Sequence, residues 1–221
     1  MGNGPRPVFD HKLDEIRDNI LRLGEMVDSA IDRSMLALRE QDYGLAREVI
    51  ANDAAINDLR FTVEEECLRV IATEQPAASD LRLVIASMNL VNDLERMADH
   101  ATGICKTVLR MGGEPLLKPL IDLPLMASAA RDMLKHSLDA YVTRDAAAAR
   151  VVAAQDDEVD HLYHAIFDEL LGIMARDPGT IPRGTYLLWS AHNLERIGDR
   201  ATNIAERVIF MATGTMTELN L

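Results

Sequence analysis

Leu94-Glu95-Arg96-Met97-Ala98-Asp99-His100-Ala101-Thr102-Gly103-Ile104 returns, 100 residues later, as Leu194-Glu195-Arg196-Ile197-Gly198-Asp199-Arg200-Ala201-Thr202-Asn203-Ile204. Seven of the eleven positions are identical, and the identities include a Glu-x-x-x-Asp pair. A repeat of apolar residues alone would report a duplicated core. Keeping two acids four residues apart is costly on a buried face, so the repeat reports a duplicated site as well.

The duplication extends outward from this segment. At an offset of 103, Asp42, Ala46, Arg47, Val49, Asp53 and Leu59 correspond to Asp145, Ala149, Arg150, Val152, Asp156 and Leu162. Leu13, Ile16, Ile20, Leu23, Val27, Ala30 and Ser34 step by threes and fours, which predicts a first helix over about Phe9–Leu38. Asp42 suits the N-cap of a second, which Gln75-Pro76 ends; Ser79-Asp80 opens a third to about Met111. Gly112-Gly113, Pro115, Pro119 and Pro124 mark a boundary. The second half then predicts helices over about Leu120–Val142, from an Asp145 cap to about Ala175, and from Pro182 to about Thr213. The fold class is therefore all-α: two tandem, sequence-related three-helix bundles over 8–111 and 120–214, with 112–119 as linker. Each long helix spans about 45 Å at 1.5 Å per residue.

Bulk composition agrees. Aromatics make up only 4% of the 221 residues while apolar residues reach 48%, a mix suited to helix-on-helix packing. The net charge of −13 argues against partners that are themselves anionic, whether nucleic acid or an acidic bilayer. No apolar run approaches the roughly 20 residues of a membrane span, and the opening residues lack a signal-peptide core. Cys67 and Cys105 lie singly in apolar helical patterns and read as small core residues of a reducing, cytoplasmic compartment.

Residues four apart share one helix face, so Glu95 with Asp99 and Glu195 with Asp199 can each converge on one cation. They extend the apolar stripe of their helix, where two carboxylates repel and rise in pKa unless a cation neutralises them. A hard divalent or trivalent metal is one such cation. The competing reading is a salt-bridged strip in which Arg96 and Arg196 are the partners. The middle helices offer Asp156 and Asp160 in the second half, against Asp53 and Asn57 in the first, where an amide replaces a carboxylate. The second half is thus expected to hold metal more strongly. Glu158-x-x-His161 has the spacing of carboxylate-bridged di-iron bundles, but no second such motif occurs, and His161, His164 and His192 read as polar helix residues. No phosphate loop, nucleophile elbow or catalytic triad is present, and the sequence makes no case for an enzyme.

Taken together, Gln75-Pro76-Ala77-Ala78-Ser79-Asp80-Leu81-Arg82, the first Leu-Glu-Arg segment, Asp177-Pro178-Gly179-Thr180-Ile181-Pro182 and Asn193 through Glu206 make the chain resemble the PhoU family of phosphate-signalling proteins over essentially its full length. The resemblance implies an all-α, cytoplasmic, often dimeric negative regulator of the phosphate-starvation response. It implies an adaptor between two partners, the ATP-binding subunit of the phosphate ABC transporter and a phosphate-sensing histidine kinase. It also implies metal ions (iron, zinc, manganese or magnesium) on the paired acidic motifs, which here are Asp53, Glu95 and Asp99, and Asp156, Asp160, Glu195 and Asp199. Asn57 departs from that pattern and puts the first site in question.

Overall fold

The computed structural model describes residues 6–219, and among these the chain contains helices and turns but no strand. The helices are α1 (Arg6–Glu40), α2 (Tyr43–Glu74), α3 (Ser79–Arg110), α4 (Asp122–Thr143), α5 (Ala146–Ala154), α6 (Asp156–Arg176) and α7 (Ile181–Thr213), with a 3-10 turn at Pro178–Thr180 before α7. Both predicted caps form. The Asp42 side chain accepts from the Leu45 amide at 2.9 Å, and Asp145 accepts from the Ala147 and Ala148 amides at 2.8 and 3.0 Å. Each offsets amides that a helix start would otherwise leave unpaired.

One predicted helix is broken. The rod expected from Asp145 to Ala175 divides at Gln155 into α5 and α6, whereas its counterpart α2 runs unbroken through Asp53. The sequence supplies the reason. Asp156-Asp157-Glu158 stands where α2 has Asp53-Ala54-Ala55, and three successive acids favour the positive end of a new helix over the middle of an old one. The break is tight: the Gln155 amide donates to the Val152 carbonyl, and the Glu158 amide to the Gln155 carbonyl.

The helices α1, α2 and α3 form one bundle, and α4, α5–α6 and α7 the other. α3 packs along α7, and α1 along α4, where Arg131 reaches Asp28 and Asp32 at 2.6 Å. A continuous apolar core runs across both bundles, with Leu23, Leu90, Leu94, Met97, Met133, Leu194 and Ile197 almost wholly buried. Cys67 and Cys105 belong to it; burial pushes both thiols up to about 12, which leaves them as inert packing groups.

Contacts between α3 and α7 show how the halves are related. The Asp93 carboxylate accepts from Arg200 and Asn203, both at 3.3 Å, while Asn193 Oδ1 lies 3.1 Å from His100 Nδ1. Arg82 Nε donates to the Met211 carbonyl at 3.3 Å. Rising numbers on α3 meet falling numbers on α7, so the two helices are antiparallel. A rotation that exchanges two antiparallel helices has its axis normal to their common plane. Both acid pairs therefore lie on the same broad face of the molecule, with α2 beside one and α6 beside the other.

Candidate functional site: two acid clusters on one face

In the first half, Glu95 and Asp99 project from α3 and Asp53 faces them from α2. Burial and then the neighbouring Asp99 charge push Asp53 above the usual carboxylate range; Lys106 pulls it back. Glu95 is raised in the same way, by burial and by Asp99, against Arg96 and Arg60. Asn57 does lie in the cluster, but it donates its amide to Asp53 Oδ2 at 3.2 Å. Asp53 Oδ1 is buried without a hydrogen-bond partner.

In the second half, Glu195 and Asp199 face Asp160 of α6. Burial raises both; Asp199 and then Asp160 raise Glu195 further, and Asp160 raises Asp199, with Arg196 the main opposing charge in each case. Asp156, at the start of α6, packs against α7 at Gly198, where an added Cβ would lie 3.0 Å from its Oδ1. A glycine there allows the broken helix to approach so closely. His192 Nδ1 stands 3.3 Å from Glu195 Oε2, so this histidine is part of the cluster and not merely a polar helix residue. His161 instead meets the Asp157 carbonyl of its own helix.

The two arginines within the repeat close the clusters. Arg96 lies 3.6 Å from Glu95 and 3.0 Å from Asp99, and Arg196 lies 3.2 Å from Glu195 and 2.8 Å from Asp199. Glu195 Oε2 lies 3.2 Å from Arg196 and 3.3 Å from His192, yet neither contact has hydrogen-bond alignment; burial holds His192 below the usual imidazole range, so the charge that answers this oxygen at neutral pH is that of Arg196. Among the described residues no three His, Cys, Asp or Glu side chains are gathered tightly enough to grip a metal ion. The donor chemistry nevertheless fits one: the clusters present oxygen ligands suited to a hard cation, and the buried Asp53 Oδ1 has no hydrogen-bond donor. Loading would require Arg96 and Arg196, which are half exposed, to swing aside.

The motif does not single out the polar crossings of Asp93 and Asn193. The repeat alignment carries their signal, since it sets one polar residue opposite the other immediately before the Leu-Glu-Arg segments.

The class of protein that the duplicated helical bundle indicates is a PhoU-domain protein, and the chain belongs to the PhoU family, whose domain model matches residues 20–108 and again 123–208. A phosphate-specific transport system accessory protein PhoU homolog of Clostridium acetobutylicum is 39% identical, over 97% of this chain and 99% of that one. One from Zymomonas mobilis is 40% identical, over 94% of this chain and 87% of that one. Among solved structures, PhoU from Pseudomonas aeruginosa superposes with a TM-score of 0.88 at 37% identity, covering 94% of this chain and all of that one. The phosphate transport system regulatory protein PhoU from Streptococcus pneumoniae gives 0.89 at 35%, over 95% and 99%. No helix among the described residues is long and apolar enough to cross a membrane.

Proposed function

We propose that this chain is a cytoplasmic negative regulator of the phosphate-starvation response, which acts by binding and not by catalysis. It couples the ATP-binding subunit of the phosphate ABC transporter to a phosphate-sensing histidine kinase and keeps that kinase quiet when phosphate is plentiful. The observation that carries this reading is the full-length likeness to proteins named as accessory to phosphate-specific transport. The rigid acidic face suits the role, because complementary charge speeds and orients the encounter with basic partner surfaces. An acidic chain is a poor receptor for free phosphate, so the protein reads the transporter's state. Removing the protein from its host should derepress a phosphate-starvation reporter in phosphate-replete medium. A reporter that stays silent ends the reading.

Metal binding belongs to the same proposal. Asp160, Glu195 and Asp199, with Asp156 beside them, would hold a hard cation in the second half, and Asp53, Glu95 and Asp99 a weaker one in the first. Changing Glu195 and Asp199 together to Ala should remove the metal taken up by the second half, read as moles per mole by elemental analysis. An unchanged stoichiometry sinks the assignment.

A further inference from the structure

The surfaces flanking the two acid clusters are equivalent in the fold and opposite in chemistry. In the first half, Arg60 of α2 pairs with Glu64 at 2.8 Å and donates to Asn92 of α3 at 3.3 Å. The corresponding trio in the second half is Tyr163, Phe167 and His192: the Tyr163 ring lies 6.3 Å from that of Phe167 and 6.3 Å from that of His192. Further along, Asn89 of α3 is replaced on α7 by Trp189, the chain's single tryptophan. Phe167, Leu171 and Trp189 remain 39%, 50% and 44% exposed.

The first half does expose Phe61 and Leu68. Phe61 is 53% exposed, but one face of its ring already carries a cation of its own chain, the Arg60 guanidinium 4.0 Å from its centroid. Position 60 becomes Tyr163 in the second half, so that internal cation is missing and another ring stands in its place. The nearest substitute is Arg110 of α3, 5.7 Å from the Trp189 centroid. It shows that this surface receives a guanidinium.

Charge around the aromatic strip favours the same kind of visitor. α6 carries six acids against one arginine. Lys118 holds Glu169. Asp157, Glu158, Asp160 and Asp168 form no ion pair among the described residues. Tyr163, Phe167 and Leu171 recur every four residues, so they line about 12 Å of one helix face. Stripes of this sort receive the apolar side of a second helix, with aromatic residues supplying most of the binding energy. A second copy of the chain is a poor occupant, because it would set one acidic rim against another.

We propose that the α6–α7 face bearing Tyr163, Phe167, Leu171 and Trp189 is the docking surface for a cationic amphipathic helix of a partner protein. The aromatic strip takes the helix's apolar side, and the acids of α6 take its arginines or lysines. The proposal rests on the adaptor reading above, and it locates the contact in the second half only.

Trp189 makes the test direct, since its fluorescence reports on this face without a label. The probe is a synthetic helix with leucines on one side and arginines on the other, titrated into the full-length chain. Its twin carries glutamates for the arginines. The arginine helix should shift Trp189 emission and the glutamate helix should not. Phe167→Ala with Leu171→Ala should weaken binding about tenfold or more, while Phe61→Ala with Leu68→Ala leaves it unchanged. Phe167→Glu, which installs the first-half residue, is a second variant at the same exposed site, and circular dichroism confirms that each still folds. Equal weakening by both double variants would mean adsorption by charge alone and overturns the proposal, as does no binding. Self-association that Phe167→Ala with Leu171→Ala abolishes would give the face to a second copy and overturns the proposal as well.

A parallel titration with purified transporter ATP-binding subunit and the kinase's cytoplasmic region separates the two ideas. If neither binds the wild-type chain, the adaptor reading fails while the peptide result still decides the surface. If one binds and only the first-half variants weaken it, the surface is wrong and the adaptor reading stands. Loss of partner binding in the Phe167 and Leu171 variants supports both.

Discussion

The two halves of this molecule are built on one plan and electrically tuned apart. In both, a buried leucine (Leu94, Leu194) precedes a glutamate, an arginine and, one turn on, an aspartate, and the arginine closes over both acids. Around that shared kernel the first half supplies cations and amides: Arg60 and Lys106 moderate the acids, and Asn57 caps Asp53. The second half supplies Asp160 and the acid-led start of α6, and it sets rings where the first has an ion pair. Duplicated packing tolerates little change because a core at crystal-like density resists even small volume changes. Charges at a half-exposed face are under no such constraint, so that is where the copies have diverged.

The largest effect should come from the shared kernel, and it tests whether the copies are structurally equal. Leu94 and Leu194 are both wholly buried in the continuous core. Either Leu→Ala change should destabilise the protein by about 2–5 kcal/mol. Because α3 and α7 pack directly on one another, each variant should still unfold in a single transition, followed by circular dichroism in urea. Two transitions, only one of them displaced, would show halves that fold separately and would break the comparison at its root.

That shared kernel is also what the sequence makes most legible. Periodicity and the offset-100 repeat locate the helices because apolar spacing and packing face are one fact seen twice. The convergence of Asp53 on Glu95 and Asp99, and of Asp160 on Glu195 and Asp199, follows from the same register. The break at Gln155 does not follow from it, although three acids in a row announce it, because a continuous apolar stripe outweighs a local charge signal. Spacing also leaves the grip of Arg96 and Arg196 open, since helix geometry allows either a cation or an arginine to answer the acids. The antiparallel crossing of α3 on α7, which puts both clusters on one face, is a tertiary fact that spacing along a single helix cannot express.

A smaller effect sharpens the electrostatic contrast. Burial and neighbouring acids raise Glu95 and Glu195 above the ordinary 4.5. A carboxyl with a raised pKa in the folded state binds its proton more tightly there than when unfolded. Its stabilising contribution is thus full below about pH 4.5 and is lost as pH rises through the raised folded value. At neutral pH the charged glutamate weakens the fold, and Glu→Gln should relieve it. At Glu95 the lowering by Arg60 outweighs the raising by Asp53, whereas at Glu195 the raising by Asp160 outweighs the lowering by His164, so Glu195→Gln should raise the melting midpoint at pH 7 by more than Glu95→Gln. Solvent and the arginines screen both, and a gain of roughly 2 °C is expected for Glu195→Gln. The advantage should disappear by pH 4. Equal gains, or a gain that survives acid, would erase the contrast between the clusters.

The finest test moves a single charge between the two polar crossings. Asp93 meets Arg200 and Asn203, while its counterpart Asn193 meets His100 and lies against Gly103, where an added Cβ would come 2.7 Å from the Asn193 amide oxygen. Burial holds His100 below the usual imidazole range, with Arg200 and His192 adding to the depression; the Asn193 contact and the Asp99 charge oppose it. Asn193→Asp would place a carboxylate 3.1 Å from that ring, at a crossing that copies the Asp93 end in charge. An opposite charge at such a distance raises an imidazole pKa by about 1 unit or more, which NMR titration of His100 would register directly. The folded protein would then gain stability below the ordinary histidine range and lose that gain as pH rises through the new value. An unmoved His100 would mean that the Asn193 side chain turns away from the ring once charged, and that the two crossings share a position but not a geometry.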